Sequence, residues 1–187
     1  AVTERPAPVE NETLRRVIGG GRRLVLLTAH RRESFGAPLA EIFSAVRTLT
    51  DEHHDIEVVY PIHPNPNVLV PAREFLSHHP RIHLTEPISY VDLAAALKAA
   101  DLILTDSGGI QEEAPTFGTP VLVLRDVTER PEGVESGVAC LVGTDPSRIL
   151  EEGRRYLAST RSNTERPRNP YGDGQAGMRI ADILVSD

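Results

Sequence analysis

At 187 residues, with 40% hydrophobic and 25% charged residues, the chain fits one globular domain with room for a substantial core. A formal net charge of −7 excludes a broad nucleic-acid surface, though not a local basic pocket. No apolar run is long enough to span a bilayer, no signal peptide opens the sequence, and Cys140, the one cysteine, can close no intrachain disulfide and reads as a small buried residue, so the cytoplasm is the expected compartment.

Residues 1–21 read as a lead-in or linker segment. The first twelve carry prolines, Thr and Glu without an apolar period, and Gly19, Gly20 and Gly21 punctuate before the first strand. One α/β domain is expected over residues 22–187. It starts with a strand over 23–28 and a helix from about residue 38, which places Leu39, Ile42, Phe43, Val46 and Leu49 on one face. A strand over 56–62, a helix over about 68–78, a short strand over 82–84 and an alanine-rich helix over 91–100 follow. Next come a strand over 102–105, a helix over 110–117 and strands over 121–124 and 138–142. Asp145 has the character of an N-cap for a helix running to about residue 159. The loop NPYGDGQ leads to a last helix over about 176–185.

The strand cores LVLL, LILT and VLVL are continuous apolar runs, as expected of strands covered on both faces. The alternation of strands with helices predicts a Rossmann-like open parallel sheet with helices on both sides. Such sheets bind ligands beyond the carboxyl ends of their strands, where His30, His63, Ser107 and Arg125 fall.

The richest stretch is 102–132. A strand runs into Asp106, Ser107, Gly108 and Gly109 and then into a helix, so free backbone N–H groups and the helix dipole offer an anion site. The glycines remove any Cβ between a phosphate and the backbone, and the Ser107 hydroxyl adds a donor. Glu112 and Glu113 would repel a diphosphate, but a carboxylate accepts from both hydroxyls of a ribose; the bland alternative is two surface glutamates in a first helical turn. Arg125 and Arg130 could neutralise a diphosphate. In TAHRRES, His30 ends the first strand beside Arg31 and Arg32, and a neutral imidazole there can donate to a phosphate or exchange a proton. His63, fixed among prolines in PIHPNPNV, is a ligand contact or a structural turn residue. The His53–His54 and His78–His79 pairs suit helix C-termini better than a metal, and no zinc-like spacing occurs. GDGQAG at 172–177 matches a dinucleotide fingerprint only literally, because no strand precedes it.

TAHRRES, PIHPNPNV, LTDSGGIQEEAPTFGTPVLVLRDVTERPE, LVGTD and NPYGDGQA, in this order from about residue 22 to the end, closely resemble the bacterial non-hydrolysing UDP-N-acetylglucosamine 2-epimerases. The resemblance implies the C-terminal, UDP-binding domain of a two-domain, GT-B-like architecture. The active site would lie in the cleft facing an N-terminal domain of the same enzyme. The first residue is not Met and Met178 is the sole methionine, so either a start methionine is removed or the chain is a piece of a longer protein; the resemblance favours the second. It also implies interconversion of UDP-GlcNAc and UDP-ManNAc through elimination of UDP to 2-acetamidoglucal and re-addition.

By the same resemblance His30 is catalytic and lies at the diphosphate, Ser107, Gly108 and Gly109 hold phosphate oxygens, Glu113 grips the ribose and Arg130 the diphosphate. Arg31 and His63 match contacts to a second, activating UDP-GlcNAc. PISYVDL at 87–93 falls where the family cradles uracil, with Ile88 and Leu93 apolar where some members have Gln and Phe. No metal or redox cofactor is implied. A UDP-sugar is the expected small-molecule partner and a homodimer of full-length chains the expected assembly, with no nucleic-acid or membrane partner. A hydrolysing relative or GT-B glycosyltransferase, and a non-catalytic UDP-sugar binding module, are the alternatives that the residues leave open.

Overall fold

The computed structural model describes residues 8–158 and 169–185; residues 1–7 of the expected lead-in, and residue 159 at the expected helix end, lie outside them. The first element is a helix, α1 (Glu12–Gly19). Asn11 caps it by accepting from the Leu14 N–H, and Leu14 and Val17 are buried. No element was read here, although Leu14, Val17 and Ile18 stand at helical spacing behind Asn11. What holds α1 is distant in sequence: the backbone N–H groups of Glu10 and Asn11 donate to the Asp92 carboxylate at 2.8 and 2.9 Å.

The chain continues through β1 (Arg23–Thr28), a 3-10 turn (Arg32–Ser34), α2 (Ala37–Glu52), β2 (Ile56–Pro61), α3 (Pro66–Leu76), β3 (Ile82–Thr85) and α4 (Tyr90–Ala99). Then come β4 (Ala100–Thr105), α5 (Gly108–Glu113), a 3-10 turn (Ala114–Phe117), β5 (Val121–Val123), α6 (Pro131–Glu135), β6 (Ala139–Leu141), α7 (Pro146–Ala158) and α8 (Ala176–Val185). The helix expected over 110–117 divides at Ala114, since Pro115 has no N–H to continue the α-helical ladder. The 3-10 turn ends at Gly118, whose φ of 66° is a left-handed conformation that glycine adopts freely. The short α6 was not foreseen. Asp145 does cap α7, its side chain accepting from the Ser147 N–H at 2.7 Å.

The sheet has six parallel strands in the order β3-β2-β1-β4-β5-β6. Chain direction across the sheet reverses between β1 and β4, where Thr28 pairs with Thr105. Alternate residues of one apolar run feed two separate cores. Val25 and Leu27 pack with Phe43, Leu49 and Ile149 on the side of α2 and α7. Leu24 and Leu26 pack with Leu14, Val17 and Leu97 on the side of α1 and α4. Cys140 is half-buried against the first of these cores rather than fully buried. Among the described residues no helix is long and apolar enough to cross a membrane.

Candidate functional site

In a doubly wound sheet the loops after two neighbouring strands part at the point where the strand order reverses, and the opening between them is where a ligand fits. Here those are the loops after β1 and β4, so the fold puts His30 and Ser107 across from each other. The Thr28 and Thr105 hydroxyl oxygens lie 2.6 Å apart at the two strand ends, and the Ser107 N–H donates to Thr105 Oγ1 at 3.0 Å. A cavity of about 290 Å³ opens above this pair. Its walls include His30, His63, Ser107, Gly109 and Glu113, together with Pro87, Ile88 and Leu93 of the segment expected to cradle a base. A larger groove of about 710 Å³ runs along the β3 edge by Arg16, Arg73 and His83, and none of the expected site residues lines it apart from Pro87 of that segment. The chemistry-bearing groups converge on the smaller cavity, and the site is placed there.

Asp106 organises the floor. Its carboxylate is fully buried, and Oδ2 alone accepts the backbone N–H groups of His30 at 2.6 Å and Arg31 at 2.7 Å. Its own N–H donates to the Thr28 carbonyl at 3.1 Å, so the loops after β1 and β4 are tied in both directions. The sequence reading passed over Asp106 as part of a turn; the available signal was a short acidic side chain at a strand end, a position where Asp commonly takes up loose backbone N–H groups. Tyr60 braces the same loop by donating its hydroxyl to the Ala29 carbonyl at 2.5 Å; burial, with the nearby Asp106 charge, pushes its ionisation well above the ordinary tyrosine value. The His30 and His63 rings are stacked, 5.6 Å between centroids and 11° from coplanar.

The two glutamates separate. Glu113 faces the cavity, where the Tyr90 hydroxyl donates to it, and that hydrogen bond, followed by burial, raises the Tyr90 pKa. Glu112 turns to the other side of α5 and pairs with Arg130. Arg130 is therefore not brought into the cavity wall; the Glu112 hydrogen bond, more than any other neighbour, raises its pKa. Arg125 is also engaged, with Glu33 at 2.7 Å and Glu129 at 3.4 Å. Arg31 extends over the glycine turn, its Nη2 lying 3.8 Å from where a Cβ on Gly108 would stand. Ser107 makes no capping hydrogen bond with its side chain. Among the described residues no group of three His, Cys, Asp or Glu side chains could hold a metal ion.

Residues 3–185 match the family model described as UDP-N-acetylglucosamine 2-epimerase. The chain belongs to the UDP-N-acetylglucosamine 2-epimerase family. It is 49% identical over 168 residues to the UDP-N-acetylglucosamine 2-epimerase of Escherichia coli strain K12, covering 89% of this chain and 45% of that one. The S. aureus MnaA-UDP co-structure is 44% identical with a TM-score of 0.86, covering 93% of this chain and 48% of that one. The UDP-GlcNAc 2-epimerase from Neisseria meningitidis bound to UDP-GlcNAc is 38% identical with a TM-score of 0.82, covering 90% and 46%. The chain thus spans about half the length of the epimerases it matches. The epimerase family and the Rossmann-like half of a GT-B-like fold, both expected from the motifs, are borne out.

Proposed function

We propose that this chain is the C-terminal, UDP-binding half of a non-hydrolysing epimerase that interconverts UDP-GlcNAc and UDP-ManNAc. The convergence of His30, Ser107, Gly109 and Glu113 on one cavity at the reversal of the sheet carries this reading. The first amides of α5 have no partner within the helix and, with the Ser107 hydroxyl, seat the diphosphate. Glu113 accepts from the ribose hydroxyls, and Pro87, Ile88 and Leu93 give uracil an apolar wall. Arg31 reaches the phosphates over Gly108, and Arg130 joins them by exchanging Glu112 for a phosphate oxygen. Arg31 and His63 together contact a second, activating UDP-GlcNAc.

In the reaction a base takes the C2 proton, and the C1–O bond breaks with its electron pair leaving on the diphosphate. UDP then re-adds to C1 of 2-acetamidoglucal as a proton returns to the opposite face of C2. Charge grows on the departing diphosphate, so fixed donors there favour the transition state. His30 stands beside that oxygen, while the base on C2 belongs to the N-terminal half, which faces this cavity across the cleft in a homodimeric enzyme. The 187-residue chain alone is expected to bind UDP without epimerising it.

Calorimetric titration tests the assignment. Removing a hydrogen bond to a charged group costs about 1.5–3 kcal/mol, so Glu113→Ala should weaken UDP roughly 10- to 150-fold and inorganic diphosphate far less. Equal losses for both ligands would reject Glu113 as the ribose ligand.

A further inference from the structure

Oδ2 of Asp106 accounts for both backbone contacts, yet Oδ1 of the same carboxylate is buried and accepts no hydrogen bond among the described residues. A buried acceptor left unpaired is costly. The group nearest in charge is His30 Nδ1, 3.6 Å from Oδ1. That is too long for a hydrogen bond, but it is the kind of separation that tightens when a site engages its ligand. The rest of the imidazole's surroundings is fixed: the His63 ring stacks on one face, and Asp106 and Tyr60 hold the backbone on which it stands.

We propose that Asp106 is a positioning residue that sets the His30 tautomer, drawing the ring proton to Nδ1 and presenting Nε2 to the cavity as a proton acceptor. A carboxylate can only accept, so the ring nitrogen facing it must be the one that carries hydrogen. Nε2 of the neutral ring then has a lone pair that can take up a proton from solvent, and once protonated it is a donor beside the departing diphosphate oxygen. When it takes up that proton, the carboxylate behind it steadies the resulting imidazolium. The inference rests on the reading of the cavity as the nucleotide-sugar site, but it concerns an internal contact that can be observed without any nucleotide.

Asp106→Asn isolates it. The asparagine carbonyl can replace Oδ2 on the two backbone N–H groups, while its NH₂ stands where Oδ1 stood and requires an acceptor, not a donor, at Nδ1. Long-range ¹H–¹⁵N spectra of the 187-residue chain, at a pH where the ring is neutral, report the tautomer directly. In the wild type His30 is expected as the Nδ1–H form, and in Asp106→Asn as the Nε2–H form with the His30 and Arg31 amide signals retained. A wild-type His30 in the Nε2–H form would overturn the proposal even if the variant fails to fold. A folded variant with an unchanged tautomer would overturn it as well. UDP added to the same wild-type sample tests the cavity separately: absence of binding would remove the nucleotide-sugar reading while leaving the tautomer result to stand or fall by itself.

Discussion

Gly109 takes no left-handed conformation, and a Cβ added to it would meet only Glu113 Oε1 and Ser107 Oγ, each at 3.9 Å. The protein's own packing therefore gives no reason to refuse an alanine there, and in a helix alanine is favoured over glycine by roughly 1 kcal/mol. A diphosphate lying on the turn does have a reason, because the methyl group would stand between it and the backbone. Gly109→Ala is expected to leave the melting temperature unchanged or raised and to weaken UDP at least about tenfold, a loss of about 1.4 kcal/mol. A variant that binds UDP as the wild type does would remove the phosphate from this turn. The sequence marked Ser107, Gly108 and Gly109 through their place between a strand and a helix. Residue chemistry by itself did not separate Glu112 from Glu113, and only the family resemblance picked Glu113, since adjacent residues on a short helix differ only in the direction each one faces; that direction goes with Tyr90 and Arg130, elsewhere in the chain. The double hold of Asp106 on His30 and Arg31 spans 76 and 75 residues, so an acidic residue at a strand end signals that backbone N–H groups are taken up there without saying which ones.

Helices α2 and α7 meet at Leu49 and Gly153, and the absent side chain of the glycine is what admits the leucine. A Cβ on Gly153 would stand 2.9 Å from Leu49 Cδ2 and 3.2 Å from Cδ1, while Leu49 itself is 1% exposed and walled in by the core. Gly153→Ala is expected to destabilise by about 1–2 kcal/mol, overpacking outweighing the gain in helix propensity. Leu49→Ala should cost about 2–5 kcal/mol through the cavity it leaves. Because the second change makes room for the first, the double variant is expected to be more stable than the sum of the two losses, and chemical denaturation of the four proteins measures the coupling. Strict additivity would mean that the two residues do not share this contact. The long elements were legible because their periods were: the face from Leu39 to Leu49 and the continuous strands emerge as read. Helix α1 went unread although Leu14, Val17 and Ile18 stand at helical spacing behind Asn11, while its anchor on Asp92 of α4 is a long-range contact, and α6 was not legible because five residues starting at Pro131 carry no period.

Across the molecule, the order of the strands could be anticipated in kind but not in detail, since continuous apolar runs announce a two-sided parallel sheet without saying which strands adjoin. The reversal between β1 and β4 brings together residues more than seventy positions apart and makes the site. At the far side of the sheet, Glu57 is a buried carboxylate bonded by Arg22 at 2.9 Å and His83 at 2.6 Å, with Arg16 beyond at 3.4 Å. Burial alone would raise its pKa, but the hydrogen bonds from Arg22 and His83 outweigh that and leave it lowered. With the folded value below the unfolded one, the stability Glu57 contributes is complete above the ordinary glutamate value of about 4.3 and is lost as the pH falls through the folded value. Glu57→Gln should therefore be less stable than the wild type at neutral pH, with the gap closing in acid; a gap that does not change with pH would place the acid sensitivity in other carboxylates. The central claim, that the cavity at the reversal of the sheet seats the nucleotide, is tested most directly by following backbone amide shifts of the ¹⁵N-labelled chain as UDP is added. The expected result is a cluster of changes at His30, Ser107, Gly108, Gly109, Ile110 and Glu113 with Ile88 beside them. Changes grouped instead along the β3 edge near Arg16 and Arg73, or none at saturating UDP, would contradict it.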